Sequence, residues 1–449
     1  MSKQYDLVVI GTGSVGSTVA STCREAGWSV AIIDSRPFGG TCSQRGCDPK
    51  KVLAHAAHQL AQVQRLEGKG LAFQELRLDW PALMRFKRTF TDDVPESTEE
   101  KFSKAGIDCY HGRAHFTGLN AVAVDGETLE AKHVCIAAGA KPMELDIEGE
   151  EHIAYSDDFL ELDELPQRIV FVGGGYISFE SAHVASRAGA EVHIVHQDGR
   201  PLEQFDPDHV ELVLEASREA GIRIHLNHEA SAIEKDGDGF VLVAETDKGE
   251  ARFEADLVIH GAGRAPQLDD LDLEKADVQR DGKGVAVNDY LQSPSNPAVY
   301  AGGDATMTGK PLTPVANYEA QMIAHNLLHG NEQTGDYRAI PQVVFTLPKM
   351  AAVGITEEEA SEQNLDVRVS AGDASSWYTP QHRGGEVSAY KVIKEKESGR
   401  ILGAHVVYPH AEEIINLFAL AMRNDLSADA LRDLLMAYPT SSSDVGSML

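Results

Sequence analysis

The sequence predicts an α/β chain that holds two Rossmann-like domains and ends in an α+β domain. The first observation behind this prediction is a glycine-rich turn at Gly11, which lies between an apolar strand and a helix-period segment. The second observation is that the same arrangement recurs at Gly173. The third is that glycine-rich turns are absent after about residue 340, where alternating strands and then helices follow.

The first glycine-rich turn has the G-x-G-x-x-G spacing, at Gly11, Gly13 and Gly16, directly after the apolar residues 7–10. Such glycines permit a tight turn and a close approach of the backbone to a pyrophosphate, which the N-terminus of the next helix then faces. The second apolar strand ends in Asp34, whose carboxylate is placed to accept hydrogen bonds from a ribose. The pattern therefore predicts a dinucleotide-binding domain rather than a structural turn.

The second turn has glycines at Gly173 and Gly175, and Ser178 takes the third small position. Its second strand ends in His196 instead of an acidic residue. The chain therefore carries a second dinucleotide-binding domain, whose ligand is bound differently at its ribose. The predicted domains are 1–150 for the first nucleotide domain, 151–270 for the second, 271–335 for a return to the first, and 336–449 for the α+β domain.

The composition is that of a globular protein, with 42% hydrophobic and 24% charged residues and a formal net charge of −30. This charge disfavours nucleic acid and anionic membranes as partners. The sequence has no apolar run long enough to span a membrane, and its beginning has no basic region followed by an apolar one, so we expect a cytoplasmic protein. With five cysteines in 449 residues, it is not a disulfide-stapled secreted scaffold.

Cys42 and Cys47 lie in the stretch "GGTCSQRGCDPKK". Their spacing does not suit zinc, which favours C-x₂-C pairs and four ligands, and we predict no metal site. A structural disulfide is disfavoured in a reducing compartment. The remaining cysteines are scattered and are best interpreted as small core residues.

Four motifs in this order, "GTGSVG", "GGTCSQRGC", "GGGYIS" and "YAGGDAT", span nearly the whole chain. In them the chain resembles the class I flavoprotein disulfide reductases, the group of glutathione reductase, dihydrolipoamide dehydrogenase and mercuric reductase. The resemblance implies FAD in the first domain, a nicotinamide cofactor in the second, and a C-terminal dimerisation domain. It also implies a homodimer in which the partner subunit completes each active site.

The resemblance assigns site residues as follows. FAD is placed against Gly11, Gly13, Gly16, Asp34, Thr41, Ala114, Gly139 and Asp304. The nicotinamide cofactor is placed against Gly173, Gly175, Ser178, His196, Arg200 and Gly263. His196 and Arg200 favour NADPH over NADH, because both side chains can face a 2′-phosphate; Glu203, where such enzymes often have a second arginine, argues the other way.

The same resemblance makes Cys42 and Cys47 a redox-active disulfide. Cys47 is then the thiol beside the flavin and Cys42 the thiol that exchanges with the acceptor. Lys51 matches the family's lysine near flavin N5, and Glu180 matches the glutamate that pairs with it. Two further lysines depart from the family pattern: Lys50 replaces a small hydroxyl residue, and Lys349 stands where a glutamate is common.

The C-terminal stretch "AYPTSSSDVGSML" lacks the histidine and glutamate that serve these reductases as an acid–base pair. Tyr438 takes the place of the histidine, and Ser443, followed by Asp444, takes the place of the glutamate. A tyrosine is a poor base near neutral pH because its pKa is ordinarily about 10. We therefore predict an NAD(P)H-dependent oxidoreductase that reduces a small-molecule acceptor, such as a low-molecular-weight disulfide. The alternatives are a quinone, metal-ion or oxygen reductase with a secondary dithiol, and a flavin redox sensor without turnover.

Overall fold

The structure is a computed structural model of the protein, and it describes residues 3–282, 284–306 and 308–449. The strands up to residue 200 are β1 (Lys3–Ile10), β2 (Val30–Asp34), β3 (Asp108–His111), β4 (His115–Gly118), β5 (Ala121–Val124), β6 (Glu127–Ile136), β7 (Ala140–Pro142), β8 (Arg168–Val172) and β9 (Glu191–His196). The later strands are β10 (Ile222–Leu226), β11 (Glu229–Asp236), β12 (Gly239–Thr246), β13 (Gly249–Ala255), β14 (Leu257–His260), β15 (Arg264–Pro266), β16 (Arg280–Asp281), β17 (Gly284–Val285), β18 (Val299–Ala301), β19 (Gln342–Val344), β20 (Met350–Gly354), β21 (Val367–Asp373), β22 (Ala389–Glu395) and β23 (Ile401–Val407).

The helices lie between these strands and after the last of them. They are α1 (Ser14–Glu25), α2 (Gly40–Arg45), α3 (Cys47–Arg65), α4 (Trp80–Thr91), α5 (Val94–Ala105), α6 (Ser156–Phe159), α7 (Tyr176–Arg187), α8 (Pro207–Glu219), α9 (Thr313–His329), α10 (Glu357–Glu362), α11 (Tyr378–His382), α12 (Ala411–Arg423), α13 (Ala428–Arg432) and α14 (Val445–Met448). Among the helices in the described ranges, none is long and apolar enough to cross a membrane.

The chain forms two compact units, and the first comprises the described parts of Met1–Pro49, Phe86–Met143 and Arg264–Tyr337. Its main sheet has the order β3-β2-β1-β6-β5-β4, and β18 pairs in parallel with β6. Strand β1 is apolar at successive positions because both faces of the sheet are covered, with Leu7 in one core and Val8 in the other. This parallel arrangement places the carboxyl ends of β1 and β2, and the turns that follow them, at one edge.

The second unit comprises Lys50–Arg85, Glu144–Gly263 and Arg338–Leu449. It holds a parallel sheet of order β10-β9-β8-β14 and an antiparallel sheet of order β11-β12-β13. The C-terminal residues form an antiparallel sheet of order β19-β20-β23-β22-β21, against which α12 packs. The predicted fold class, α/β with two Rossmann-like domains and a C-terminal α+β domain, is confirmed.

The units group the chain differently from the predicted domains. The segment 271–335 lies in the first unit, whereas 50–85 packs in the second together with 151–263 and 338–449. Helix α3 explains this grouping, because Leu53 and Ala57 belong to the same core as Val344 and Val407. The domain boundaries themselves stay a prediction.

Candidate active site

The first glycine-rich turn links β1 to α1 and leaves an open cradle at the start of the helix. Gly11 has φ +107°, and a Cβ there would overlap the Ala137 carbonyl. A Cβ on Gly16 would overlap the Gly11 carbonyl, so both residues must be glycine for the strand and helix to pack. At Gly13 a Cβ would meet only Gly40 Cα, at 3.9 Å, so the missing side chain leaves space. This geometry fits the pyrophosphate of a dinucleotide.

Asp34 ends β2 and is anchored beside this turn. Its Oδ2 accepts hydrogen bonds from Thr12 N at 2.8 Å and Thr12 Oγ1 at 2.6 Å, and its Oδ1 accepts one from Arg36 N at 2.9 Å. The buried Thr12 hydroxyl in turn accepts the Gly39 N–H at 3.1 Å. Thr12 therefore ties the acidic residue to the loop that leads to the cysteines, a role that the sequence pattern did not reveal.

Asp304 lies in a 3₁₀ turn, Gly303–Ala305, directly after β18. Burial raises the pKa of its carboxyl, and the nearby Arg264 opposes this effect. The turn is held by Glu319, a buried side chain whose Oε2 accepts the Gly303 N–H at 2.6 Å. Burial also raises the pKa of Glu319.

The other residues predicted to contact FAD also belong to the first unit. Ala114 is buried ahead of β4, and Gly139 precedes β7 with φ +67°. Thr41 is exposed on α2, next to Cys42. The roles of these residues stay predictions.

The second glycine-rich turn, between β8 and α7, has the same construction. A Cβ on Gly173, at φ +104°, would overlap the backbone of Gly261 and Ala262. A Cβ on Gly175 would lie 3.3 Å from the Gly261 carbonyl oxygen, and Ser178 is fully buried beneath the turn. Gly263 follows with φ +114°. These residues fit a second dinucleotide.

His196 ends β9, and both of its ring nitrogens have partners. Nδ1 accepts the Gly174 N–H at 3.1 Å, and Nε2 lies 3.2 Å from the Arg200 carbonyl oxygen. Both ring nitrogens are therefore engaged within the protein. Asp198 and Glu203 place carboxylate oxygens within 4.8 Å of a His196 nitrogen and of each other. The end of this strand is therefore acidic despite the histidine.

The two cysteines of the redox motif lie on adjacent helices, Cys42 within α2 and Cys47 as the first residue of α3. Within the described residues both side chains are thiols rather than a disulfide. Thr313, the first residue of α9, contacts both: its Oγ1 donates to Cys42 Sγ at 3.3 Å and lies 3.5 Å from Cys47 Sγ. The sequence motifs did not point to Thr313, although the Thr-Pro pair at its position is a typical helix start.

The two thiols influence each other's protons. A hydrogen bond with Cys47, together with burial, raises the pKa of Cys42, while the bond from Thr313 lowers it. The protons of the pair are therefore lost one after the other and not independently. Thr313 begins α9, and the N-terminus of a helix favours a thiolate over a thiol.

The structure corrects one predicted pairing: Glu180 forms its ion pair with Lys50 and not with Lys51. The two lysines are consecutive on α3, so their side chains leave the helix about 100° apart, and only one can reach Glu180. Lys51 instead places its Nζ 3.3 Å from the centroid of the Phe345 ring. Burial, followed by the charge of Lys349, lowers the pKa of Lys51 to about 8. Sequence spacing alone did not distinguish these two positions.

Tyr438, predicted to stand where the family has its histidine, is 81% exposed. Two hydrogen bonds of 3.2 Å join Ser443 and Thr440: the Thr440 N–H donates to Ser443 Oγ, and the Ser443 N–H donates to Thr440 Oγ1. Asp444 accepts the Tyr408 hydroxyl at 2.7 Å. Ser443 and Asp444 are thus engaged in local contacts, and neither pairs with Tyr438 as the family's glutamate pairs with its histidine.

Two dinucleotide folds, a vicinal dithiol and a C-terminal α+β domain define the class of flavoprotein disulfide oxidoreductases. The chain belongs to the pyridine nucleotide-disulphide oxidoreductase family, whose model matches residues 5–320. The family's dimerisation domain matches residues 340–449. Members of this family are NAD(P)H-dependent enzymes that use FAD and a pyridine nucleotide, and the predicted oxidoreductase class is confirmed.

Individual relatives cover nearly the whole chain. A mercuric reductase of Staphylococcus aureus is 32% identical over 97% of this chain and 80% of its own length. A dihydrolipoyl dehydrogenase of Chlamydia muridarum is 31% identical over 98% of this chain and 95% of its own. Among solved structures, the HOCl-induced flavoprotein disulfide reductase RclA of Escherichia coli, a Cu(II) complex of a cysteine-to-serine mutant, matches with a TM-score of 0.90 and 25% identity, over 100% of this chain and 99% of that one.

Proposed function

We propose that the protein is a reductase in which electrons pass from NAD(P)H through FAD to the Cys42–Cys47 disulfide, and from the resulting dithiol to a small acceptor. The observation that carries this proposal is the contact of Thr313 with both sulfurs, at 3.3 Å and 3.5 Å. Bound flavin would take a hydride from the nicotinamide and deliver two electrons to the disulfide. The balance is one NAD(P)H and one proton consumed for each disulfide reduced to a dithiol.

The protein's own residues would have distinct roles in this reaction. Cys47 contacts Thr313 at the N-terminus of α9, where a thiolate is favoured, and this suits the thiol beside the flavin. Cys42, whose pKa is raised by its hydrogen bond with Cys47 and by burial, would have to lose its proton before it attacks the acceptor. Lys51 matches the lysine that the family places near flavin N5, whereas the ion pair with Glu180 is formed by Lys50.

The acid–base groups that this chain supplies limit which acceptors it can reduce. Reduction of an ordinary disulfide needs a group that protonates the departing thiolate, and the exposed Tyr438 is poorly suited to that task. An acceptor that needs no proton from the protein, or a disulfide that is already activated, fits better.

A second candidate acceptor is Cu(II). Its support is the structural match to a flavoprotein disulfide reductase solved as a Cu(II) complex, together with two adjacent sulfurs that can bind a soft metal ion. The balanced step converts one dithiol and two Cu(II) into one disulfide, two Cu(I) and two protons. Here the copper is the substrate and leaves after reduction.

The contacts of His196 move the proposed nucleotide from NADPH toward NADH. An imidazole whose two nitrogens already have partners within the protein is poorly placed to bind a 2′-phosphate, and the carboxylates of Asp198 and Glu203 repel one. Arg200 is the other basic residue expected to face a 2′-phosphate. Its guanidinium lies 3.4 Å from the carboxylate of Glu358. A ribose hydroxyl fits this environment better than a phosphate.

We also propose that the protein acts as a homodimer, as the match to the dimerisation domain suggests. Large apolar side chains near the C-terminus support this assembly: Leu434 is 55% exposed and Leu435 is 97% exposed. Burial of such groups against a second copy would stabilise the dimer.

The decisive experiment is an anaerobic titration of the holoenzyme with NADH and, separately, NADPH. A functional relay gives a long-wavelength thiolate–flavin band after two electrons, and NADH produces it at lower concentration. Cys42→Ser keeps the Cys47 thiolate but loses turnover with disulfides and Cu(II), whereas Cys109→Ser, a matched control outside the motif, keeps both. Undiminished turnover of the acceptor by Cys42→Ser would refute the relay.

A further inference from the structure

The loop after β9, residues 197–206, contains a single arginine, Arg200, and no lysine. In a dinucleotide fold the end of the second strand is where the adenosine ribose is bound, and a nearby arginine can accommodate a 2′-phosphate. The guanidinium Nη1 of Arg200 lies 3.4 Å from the carboxylate of Glu358. Glu358 belongs to α10, in the segment that matches the dimerisation domain. A carboxylate from outside the dinucleotide fold therefore contacts the one arginine of this loop.

Three contacts hold Arg200 in this position. Its backbone carbonyl oxygen lies 3.2 Å from His196 Nε2, and its Nη2 donates to the Glu203 carbonyl oxygen at 3.4 Å. The third contact is the one with Glu358, in which the guanidinium faces an opposite charge. A guanidinium that is already paired with a carboxylate has fewer donors and less attraction left for a phosphate.

The start of α10 is fixed by its own hydrogen bonds. The Thr356 hydroxyl accepts the Glu359 N–H at 3.1 Å, and the Glu359 carboxylate accepts the Thr356 N–H at 2.7 Å. This reciprocal capping box satisfies two backbone donors at the helix N-terminus. Glu358 lies within the turn that these bonds close, so the place of its backbone does not depend on Arg200.

Lys391 ties α10 to the loop that carries Arg200. Its Nζ lies 3.2 Å from the Glu357 carboxylate, on α10, and 2.8 Å from the Asp206 carboxylate, directly before α8. Asp206 is the last residue of the loop, so one buried lysine fixes both segments. Arg200 and Glu358 thus meet between two segments that are already held together.

We propose that Glu358 is a specificity-determining residue, an inference that rests on the proposed preference for NADH. By pairing with Arg200 it withdraws the arginine of the loop from recognition of a 2′-phosphate. It acts through Arg200 and is therefore a positioning residue. Part of the choice between the two nucleotides is then made by the segment that matches the dimerisation domain, residues 340–449.

The charges around the ribose position explain why this pairing matters. NADH carries a neutral 2′-hydroxyl, which can donate to a carboxylate, whereas NADPH carries a phosphate in its place. Asp198 and Glu203 place carboxylate oxygens within 4.8 Å of each other, and these repel a phosphate. A paired Arg200 does not offset this repulsion. Discrimination thus comes from an unfavourable environment for one nucleotide as much as from contacts with the other.

Glu358→Gln keeps the length of the side chain and removes its charge, which releases Arg200. We expect the NADPH concentration for half-maximal flavin reduction to fall about two- to fivefold, the range for a partly exposed ion pair. The two side chains are 43% and 62% exposed, so the fold does not depend on this pair. The NADH value should change by less than about 1.5-fold, because the 2′-hydroxyl carries no charge.

The test is anaerobic stopped-flow reduction of the FAD-loaded enzyme by NADPH and, separately, by NADH, with flavin bleaching as the signal. Low ionic strength keeps the screening of these surface charges small. Glu362→Gln, which removes an exposed carboxylate from the last residue of the same helix, is the matched control and should keep both values. Arg200→Gln, alone and combined with Glu358→Gln, completes a double-mutant cycle.

A gain with NADPH in Glu358→Gln that shrinks when Arg200 is also replaced supports the proposal. An unchanged NADPH value, equal changes for the two nucleotides, or an undiminished gain in the Arg200→Gln background overturns it. Flavin reduction precedes the cysteines, so the result is independent of the Cys42→Ser experiment. If NADPH reduces the wild type better than NADH does, the proposed nucleotide preference fails, and the double-mutant cycle still decides whether Glu358 acts through Arg200.

Discussion

Thr313 Oγ1 contacts both thiols of the redox motif, 3.3 Å from Cys42 Sγ and 3.5 Å from Cys47 Sγ. A single hydroxyl thus stabilises whichever sulfur carries the negative charge. Hydrogen bonds to charged groups typically contribute about 1.5–3 kcal/mol, so the loss of this one should raise the thiolate pKa by roughly one to two units. We expect Thr313→Val to show this rise in the ultraviolet absorbance of the thiolate as a function of pH.

Thr313→Ser is the matched control, because it keeps the hydroxyl and loses only a methyl group. It should titrate like the wild type and keep the thiolate–flavin band at neutral pH, whereas Thr313→Val should need a higher pH to develop the same band. Identical titration curves for the valine and serine variants would show that the contact does not stabilise the thiolate.

The second prediction concerns the first glycine-rich turn. Gly11→Ala places a Cβ against the Ala137 carbonyl and requires φ +107° of an L-residue, so the turn must open. We expect the variant to be purified largely without FAD, with an affinity for added FAD reduced at least about tenfold, which corresponds to about 1.4 kcal/mol. Gly118→Ala, whose Cβ would lie an ordinary 3.7 Å from Ala121 Cβ, should retain FAD. Wild-type FAD content in Gly11→Ala would contradict the cradle geometry.

The sequence predicted those parts of the site that depend on local pattern. The turns at Gly11 and Gly173 were predictable because a strand, a glycine spacing and a helix occur within one short segment. Thr313 was not, because it meets the cysteines only after more than 250 residues of intervening chain have folded. The choice between Lys50 and Lys51 depends on where α3 begins, at Cys47, and helix boundaries are the least certain part of a sequence-based prediction.

The third prediction tests the missing acid–base group. Tyr438→His restores the residue type that the resembling reductases have at this position, and general acid–base catalysis typically contributes about 10²–10⁴-fold. We expect this variant to reduce glutathione or lipoamide disulfide at least about tenfold faster than the wild type, while Cu(II) reduction stays unchanged. Tyr438→Phe is the control and should match the wild type in stability to within about 0.5 kcal/mol, because the side chain is 81% exposed. Equal disulfide turnover in the wild type and Tyr438→His would show that this position does not limit the acceptor.

The last prediction concerns the stability of the second unit. Lys391 is buried on β22, with its Nζ 2.8 Å from Asp206 Oδ2, 2.7 Å from Asp208 Oδ2 and 3.2 Å from Glu357 Oε2. Lys391→Met leaves the buried Asp206 carboxylate with His209, 2.8 Å away, as its remaining partner among these groups. Because breaking a buried pair leaves a poorly compensated charge, we expect a loss of about 3–5 kcal/mol in the free energy of unfolding near neutral pH.

The pH dependence follows from Asp206. Burial alone would raise the pKa of this carboxyl, but hydrogen bonds from His209 and Lys391 hold it well below its usual range. The contribution of the ionised pair is therefore present above the ordinary carboxyl pKa of about 4 and is lost as the pH falls further, so the difference between wild type and Lys391→Met should narrow there. Urea unfolding near neutral pH and below about pH 4 measures this difference in the free energy of unfolding. Lys396→Met, from the exposed pair with Asp366, is the control and should cost no more than about 1 kcal/mol. A deficit for Lys391→Met as small as that of the control would show that the buried lysine is not needed to hold this unit together.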